Sequence, residues 1–140
     1  MRRALLVLVG VAVVATAVLV PNWRLSAQRG PHAVSLVQLI ATPEKHQGKP
    51  VQVFGFMRLE HEGTALYLHK EDYENALYKN GLWLTNVDTA EHHAKHNLKW
   101  VLLEGTFDGT TRGHLGLWSG TIKDIKRVEL WGTSAPRARR

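Results

Sequence analysis

Eight histidines and no cysteine set the chemistry open to this 140-residue chain. Without a thiol there is no disulfide, no thiolate metal site, no thiol nucleophile and no lipid-carrying cysteine. Three clusters of polar residues remain. The densest is Glu91-His92-His93-Ala94-Lys95-His96, where a helix would place His92 and His96 one turn apart on one face, able to share an ion. His93 would point about 100° away from that face. Zinc usually takes three protein ligands at least, so the pair needs a third that the sequence does not name. The segment therefore reads first as a solvated loop and second as a metal site.

The second cluster, His69-Lys70-Glu71-Asp72-Tyr73, falls at the end of a candidate strand, where small barrels place ligand contacts. Its plain reading is a loop whose Tyr73 and Leu77 pack onto the barrel while its acids face water. The third runs from Asp108 to Leu117 and carries Arg112 and His114, which suit an anionic group or a partner carboxylate. A glycine-rich hairpin is the simpler account of that segment. Catalytic signatures are missing: there is no Gly-x-Ser-x-Gly elbow, no phosphate-cradling glycine loop and no His-Glu-x-x-His. Glu60 and Glu62 share a strand face beside a turn and read as solvated. The expectation is a protein that is not an enzyme and takes no cofactor.

The elements that must carry these clusters are a short helix and then strands. Ser35 can cap a helix bearing Leu36, Leu39 and Ile40 at helical spacing, closed by Pro43 and Gly48. From Val51 the period drops to two: Val51, Val53, Met57 and Leu59 alternate with Gln52, Phe54, Phe56 and Arg58. Further strands are predicted at Thr64–His69, Leu82–Leu84 and Lys99–Phe107, with one or two more over Leu115–Leu130. Helical turns are predicted at Glu71–Tyr78 and Thr89–Asn97. Leu82, Leu84, Leu102, Ile122, Ile125 and Val128 are the expected core. Trp83, Trp100 and Trp118, placed on separate strands, are expected to pack the barrel.

Five strands with a helical piece between the third and fourth is the order of an OB barrel, so the fold class is mainly β, a five-stranded OB-like barrel over 31–133. Gly55 and Gly105 interrupt strands where a corner or bulge would fall, and Gly116 and Gly120 are expected to do the same in the last strand. The run Gly48-Lys49-Pro50-Val51-Gln52-Val53-Phe54-Gly55 resembles the first strand of small OB-fold-like, membrane-anchored bacterial envelope domains, a likeness covering about one hundred residues. No activity carries over from them. His69 and Tyr73 also match the histidine and tyrosine, four residues apart, of the haem chaperones of cytochrome c maturation. In that family the pair follows the barrel, whereas here it interrupts it.

Charge location decides the partner class. The chain carries 18 Lys+Arg against 12 Asp+Glu, a formal +6. Arg2, Arg3, Arg24 and Arg29 lie before residue 31, and Arg137, Arg139 and Arg140 lie beyond residue 133; the body between holds 11 basic and 12 acidic residues and nets −1. A near-neutral body lacks the field that tracks phosphates, so no nucleic-acid partner is expected. Met1-Arg2-Arg3 precedes an uncharged apolar run over residues 4–20, which reads as an export signal with its arginines held on the cytoplasmic side. As a helix it spans about 26 Å, slightly under the bilayer core but longer than the usual signal-peptide core, which favours an uncleaved anchor over a cleaved signal. Residues 1–30 are thus signal anchor or signal peptide plus linker, and 134–140 a disordered basic tail. The sequence points to a single-pass protein of the bacterial cytoplasmic membrane, its body in the periplasm, or to a protein secreted there if the signal is cleaved. The body is expected to be a binding or scaffold module for another envelope protein. The alternative is a haem- or metal-handling protein using His69 and Tyr73 or His92 and His96.

Overall fold

The computed structural model describes residues 30–87 and 89–132. The predicted anchor or signal and the basic tail lie outside the described residues. Among the described residues, no helix is long and apolar enough to cross a membrane.

A two-residue strand β1 (His32–Ala33) leads into α1 (Leu36–Ala41). Ser35 caps α1 as expected: its hydroxyl accepts the Gln38 N–H at 3.1 Å, and its own N–H donates to Gln38 Oε1 at 3.0 Å. Pro43 does more than end this helix. It opens a second turn, α2 (Pro43–His46), at the position where a missing N–H costs nothing.

The barrel strands are β2 (Pro50–Arg58), β3 (Ala65–Tyr67), β4 (Gly81–Leu84), β5 (Lys99–Asp108) and β6 (Thr121–Leu130). Neighbours run β2-β3-β4-β6-β5, and β5 returns to pair with β2, closing the sheet on itself. The β4–β6 contact is parallel and the other barrel contacts are antiparallel. Closure removes the edges that an open five-stranded sheet would expose. Between β3 and β4 lie α3 (Lys70–Glu74) and a 3-10 turn at Tyr78–Asn80; between β4 and β5 lies α4 (Thr89–His96).

The period-two pattern in β2 is realised: Val51, Val53, Met57 and Leu59 are buried inside the barrel, while Phe54 faces out. With Leu36, Leu39, Leu66, Leu82, Leu84, Val101, Leu103, Phe107 and Ile122 they form one continuous core. Two close approaches need glycine. A Cβ on Gly55 would lie 2.6 Å from Leu66 Cγ, and one on Gly105 would lie 2.6 Å from Ile122 Cγ2. The β5–β6 register shifts between Glu104 and Thr106, the bulge expected at Gly105.

Other expectations are corrected. Leu102 is not core: alternation turns Val101 and Leu103 inward and Leu102 outward, half-buried. Ile125 and Val128 only flank the core, because β6 is covered less completely than β2. The last strand begins at Thr121, and Leu115 is 81% exposed. Gly116, Trp118 and Gly120 accordingly lie in the β5–β6 connection rather than on a strand. The helical turns predicted over Glu71–Tyr78 are present as α3 and the Tyr78–Asn80 turn, separated at Ala76, where φ is 54°; but Leu77 stays half-exposed instead of packing down.

Candidate functional site

The β5–β6 connection is a strap rather than a hairpin, and its path explains the site it builds. Asp108, at the end of β5, anchors the start. Its Oδ1 accepts from Thr110 Oγ1 at 2.6 Å, Thr110 N–H at 3.0 Å and Gln47 Nε2 at 3.0 Å, while Oδ2 accepts from Lys123 Nζ at 3.1 Å. Hydrogen bonds from Thr110 and Gln47, against a burial cost and with help from Lys123, hold this carboxyl well below the usual carboxylate range. Gly113 then takes φ +65°, with its Cα against the Trp83 ring; a Cβ there would meet that ring at 2.7 Å. From Gly113 the strap turns and lays Trp118 onto the outer face of the sheet.

Trp118 is 2% exposed and packs edge-on to Trp83, with ring centroids 4.6 Å apart. Tyr78 tilts against it at 5.4 Å, and Tyr73 against Tyr67 at 5.9 Å. Ala65, Tyr67 and Trp118 are the buried centre of this second cluster, outside the barrel. Lys79 ties the strap down: its ammonium donates to Gly116 O at 2.9 Å, and its carbonyl accepts from Ser119 Oγ at 2.7 Å. Burial pushes the Tyr67 hydroxyl up to about 12, a rise that the neighbouring Trp118 indole N–H offsets in part without reaching hydrogen-bond geometry. Both polar atoms are thus buried without a partner.

Beside Trp118 opens a cleft of about 450 Å³, lined by Glu60, His61, Glu62, Gly63, Tyr78, Leu117 and Trp118. Its wall is the β2–β3 turn. Glu60 is held by Arg58, whose Nη2 lies 3.0 Å from Glu60 Oε2, while His61 and Glu62 are exposed. An acidic rim over an aromatic floor suits a cationic or amide-bearing group.

No family model matches the chain, and no curated protein or solved structure matches it.

The residues singled out from sequence fare differently. His92 and His96 do share a helix face, with their Nδ1 atoms 3.0 Å apart, and His96 is buried. Among the described residues no group of three or more His, Asp or Glu could hold a metal ion. His69 and Tyr73 engage different partners: His69 Nδ1 sits 3.4 Å from Asp72 Oδ2 and the side chain is exposed, whereas Tyr73 lies on Tyr67 with the Arg58 guanidinium 5.2 Å from its ring centre. Arg112 and His114 are exposed on the strap, and the Arg112 carbonyl accepts the Trp118 N–H at 3.2 Å. The structure brings Trp118, Tyr78 and the Glu60–Gly63 turn together, which sequence reasoning did not. The available signal was Asp108 followed by Thr110 and Thr111, with Gly113 and Gly116 after them, a turn-forming series that cannot continue a strand.

Proposed function

We propose that this chain is a membrane-anchored, non-enzymatic OB-like binding module whose body faces the periplasm and docks another envelope protein. The strand order, with α4 between the third and fourth barrel strands, is that of an OB barrel. OB barrels bind through the connection between their first two strands and the one between their last two. One observation carries the reading: the acidic, aromatic-floored cleft lies between those two connections, Glu60–Gly63 on one side and Leu117–Trp118 on the other. The preferred partner group is a basic segment, matched to the exposed Glu62, since Glu60 is already paired with Arg58.

A photo-crosslinking residue placed at His61 or Leu117 of the full chain, in cells, tests this. Expected is a discrete adduct with a membrane protein, absent from a control at exposed Lys126 and lost with Glu62→Lys. Equal labelling from all three positions, or adducts indifferent to Glu62→Lys, would contradict it.

A second reading, metal handling, is favoured by one observation, the 3.0 Å His92–His96 contact. Stoichiometric zinc in the purified chain, lost with His96→Ala, would support it over the first.

A further inference from the structure

The outer face of β2, β5 and β6 carries a second set of aromatic residues, of which Phe56 is buried while Phe54 and Trp131 are exposed. Cross-strand register arranges the outer face of β2, β5 and β6 in rows: Gln52, Glu104 and Arg127; then Phe54, Leu102 and Glu129; then Phe56 and Trp100, with the Trp131 N–H donating to Trp100 O at 2.9 Å. The first row is polar and self-satisfied, with Gln52 Nε2 2.7 Å and Arg127 Nη1 3.0 Å from Glu104 Oε1. Arg127 also pairs with Glu129. The rest is aromatic: Phe54 stacks on Trp100 at 4.9 Å and tilts against Trp131 at 4.7 Å, leaving Phe54 36% and Trp131 56% exposed.

We propose that this face rests on the surface of an anionic bilayer. The inference depends on the anchored reading above and adds an orientation to it. Three observations support a lipid surface as occupant. The groove on this face is lined by Ala33, Val34 and Ser35 near the first described residue and by Trp131 near the last, so both ends of the described body border it. The nine residues between the apolar run and Gly30 reach at most roughly 30 Å, which keeps the body close to the bilayer. Those segments are basic, with Arg24 and Arg29 before Gly30 and Arg137, Arg139 and Arg140 after Gly132. Exposed tryptophan and phenylalanine in a body flanked in sequence by arginine is the chemistry of an interfacial contact: rings settle at headgroup depth and guanidinium groups meet anionic phosphates.

The absence of cysteine allows a single spin label to be placed at will. The full chain would be reconstituted in phosphatidylethanolamine–phosphatidylglycerol vesicles with a label at Leu102→Cys on this face or at Leu115→Cys on the strap. Expected is co-flotation with vesicles, with the Leu102 label several-fold more accessible to oxygen than to a water-soluble nickel chelate. The strap label should show the reverse, and Phe54→Asp with Trp131→Asp should return the Leu102 label to water without loss of flotation. A floating chain whose Leu102 label is aqueous overturns this inference alone. A Leu102 label shielded from both quenchers points to a second copy or another protein on the face and also overturns it. Failure to float removes the anchored reading and this inference with it.

Discussion

The barrel wears aromatic residues on two faces, and their contrast locates structure and contact. On the β3–β4 face, Trp118 packs against Trp83 and Tyr78 while Tyr73 lies on Tyr67, and the strap that delivers Trp118 is fixed by Asp108, Gly113 and Lys79. On the β2–β5–β6 face, Phe54, Trp100 and Trp131 stack on one another but carry no roof. The residue types are alike. What differs is a neighbouring segment with enough hydrogen bonds to stay down. The covered set is a satellite core with a cleft at its margin, and the open set leaves Phe54 and Trp131 exposed.

The largest expected difference is in stability. Trp118→Ala should cost about 3–5 kcal/mol, as for other buried aromatic truncations, whereas Trp131→Ala should cost under about 1 kcal/mol. Urea unfolding of both variants checks this, and equal losses would erase the distinction between the faces.

Two glycines sharpen it next. Gly113 and Gly116 both have positive φ, at 65° and 68°, but only at Gly113 would a Cβ strike Trp83; at Gly116 it meets open space. Alanine should cost about 2–3 kcal/mol at position 113, from backbone strain plus displacement of the strap, and about 1 kcal/mol at position 116. Comparable unfolding midpoints for the two would show that the strap is not held against Trp83.

Asp108 gives the strap a pH dependence. Its folded value is depressed, so its contribution is complete above the unfolded value of about 4 and is lost as pH falls below that. Asp108→Asn should cost about 1–3 kcal/mol at neutral pH and flatten the decline in stability between about pH 5 and pH 2. Parallel acid profiles for parent and variant would remove Asp108 as the anchor. The smallest effect belongs to Tyr67→Phe. Because the hydroxyl is buried without an acceptor, its removal should leave stability within about 0.5 kcal/mol of the parent or raise it. A loss beyond about 1 kcal/mol would mean that the hydroxyl is satisfied after all.

The same contrast explains what could be read in the sequence. Strand β2 is legible because one face of it is wholly buried, which puts an apolar residue or glycine at every second position from Val51 to Leu59, although Phe56 on the other face is buried too. Ser35 and the bulge at Gly105 were legible for equally local reasons, a cap and a forbidden Cβ. Leu102 reads as core because an outward leucine half-covered by its neighbours looks the same in sequence as an inward one. Trp118 was placed on a strand because its burial depends on Asp108, Lys79 and Trp83, which come together only in three dimensions. Of the candidate site residues, only the His92–His96 pair was brought together as helical spacing predicted; the cleft arises from two loops more than fifty residues apart.

The claim that one aromatic face is closed and the other meets lipid can be tested in a single fluorescence measurement. The full chain is reconstituted in anionic vesicles with and without brominated acyl chains, and quenching is compared for the parent, Trp100→Phe with Trp131→Phe, and Trp118→Phe. The bromine-quenched fraction is expected to fall in the Trp100/Trp131 variant and not to fall in Trp118→Phe. Quenching unchanged by the loss of Trp100 and Trp131, or reduced by the loss of Trp118, would contradict it.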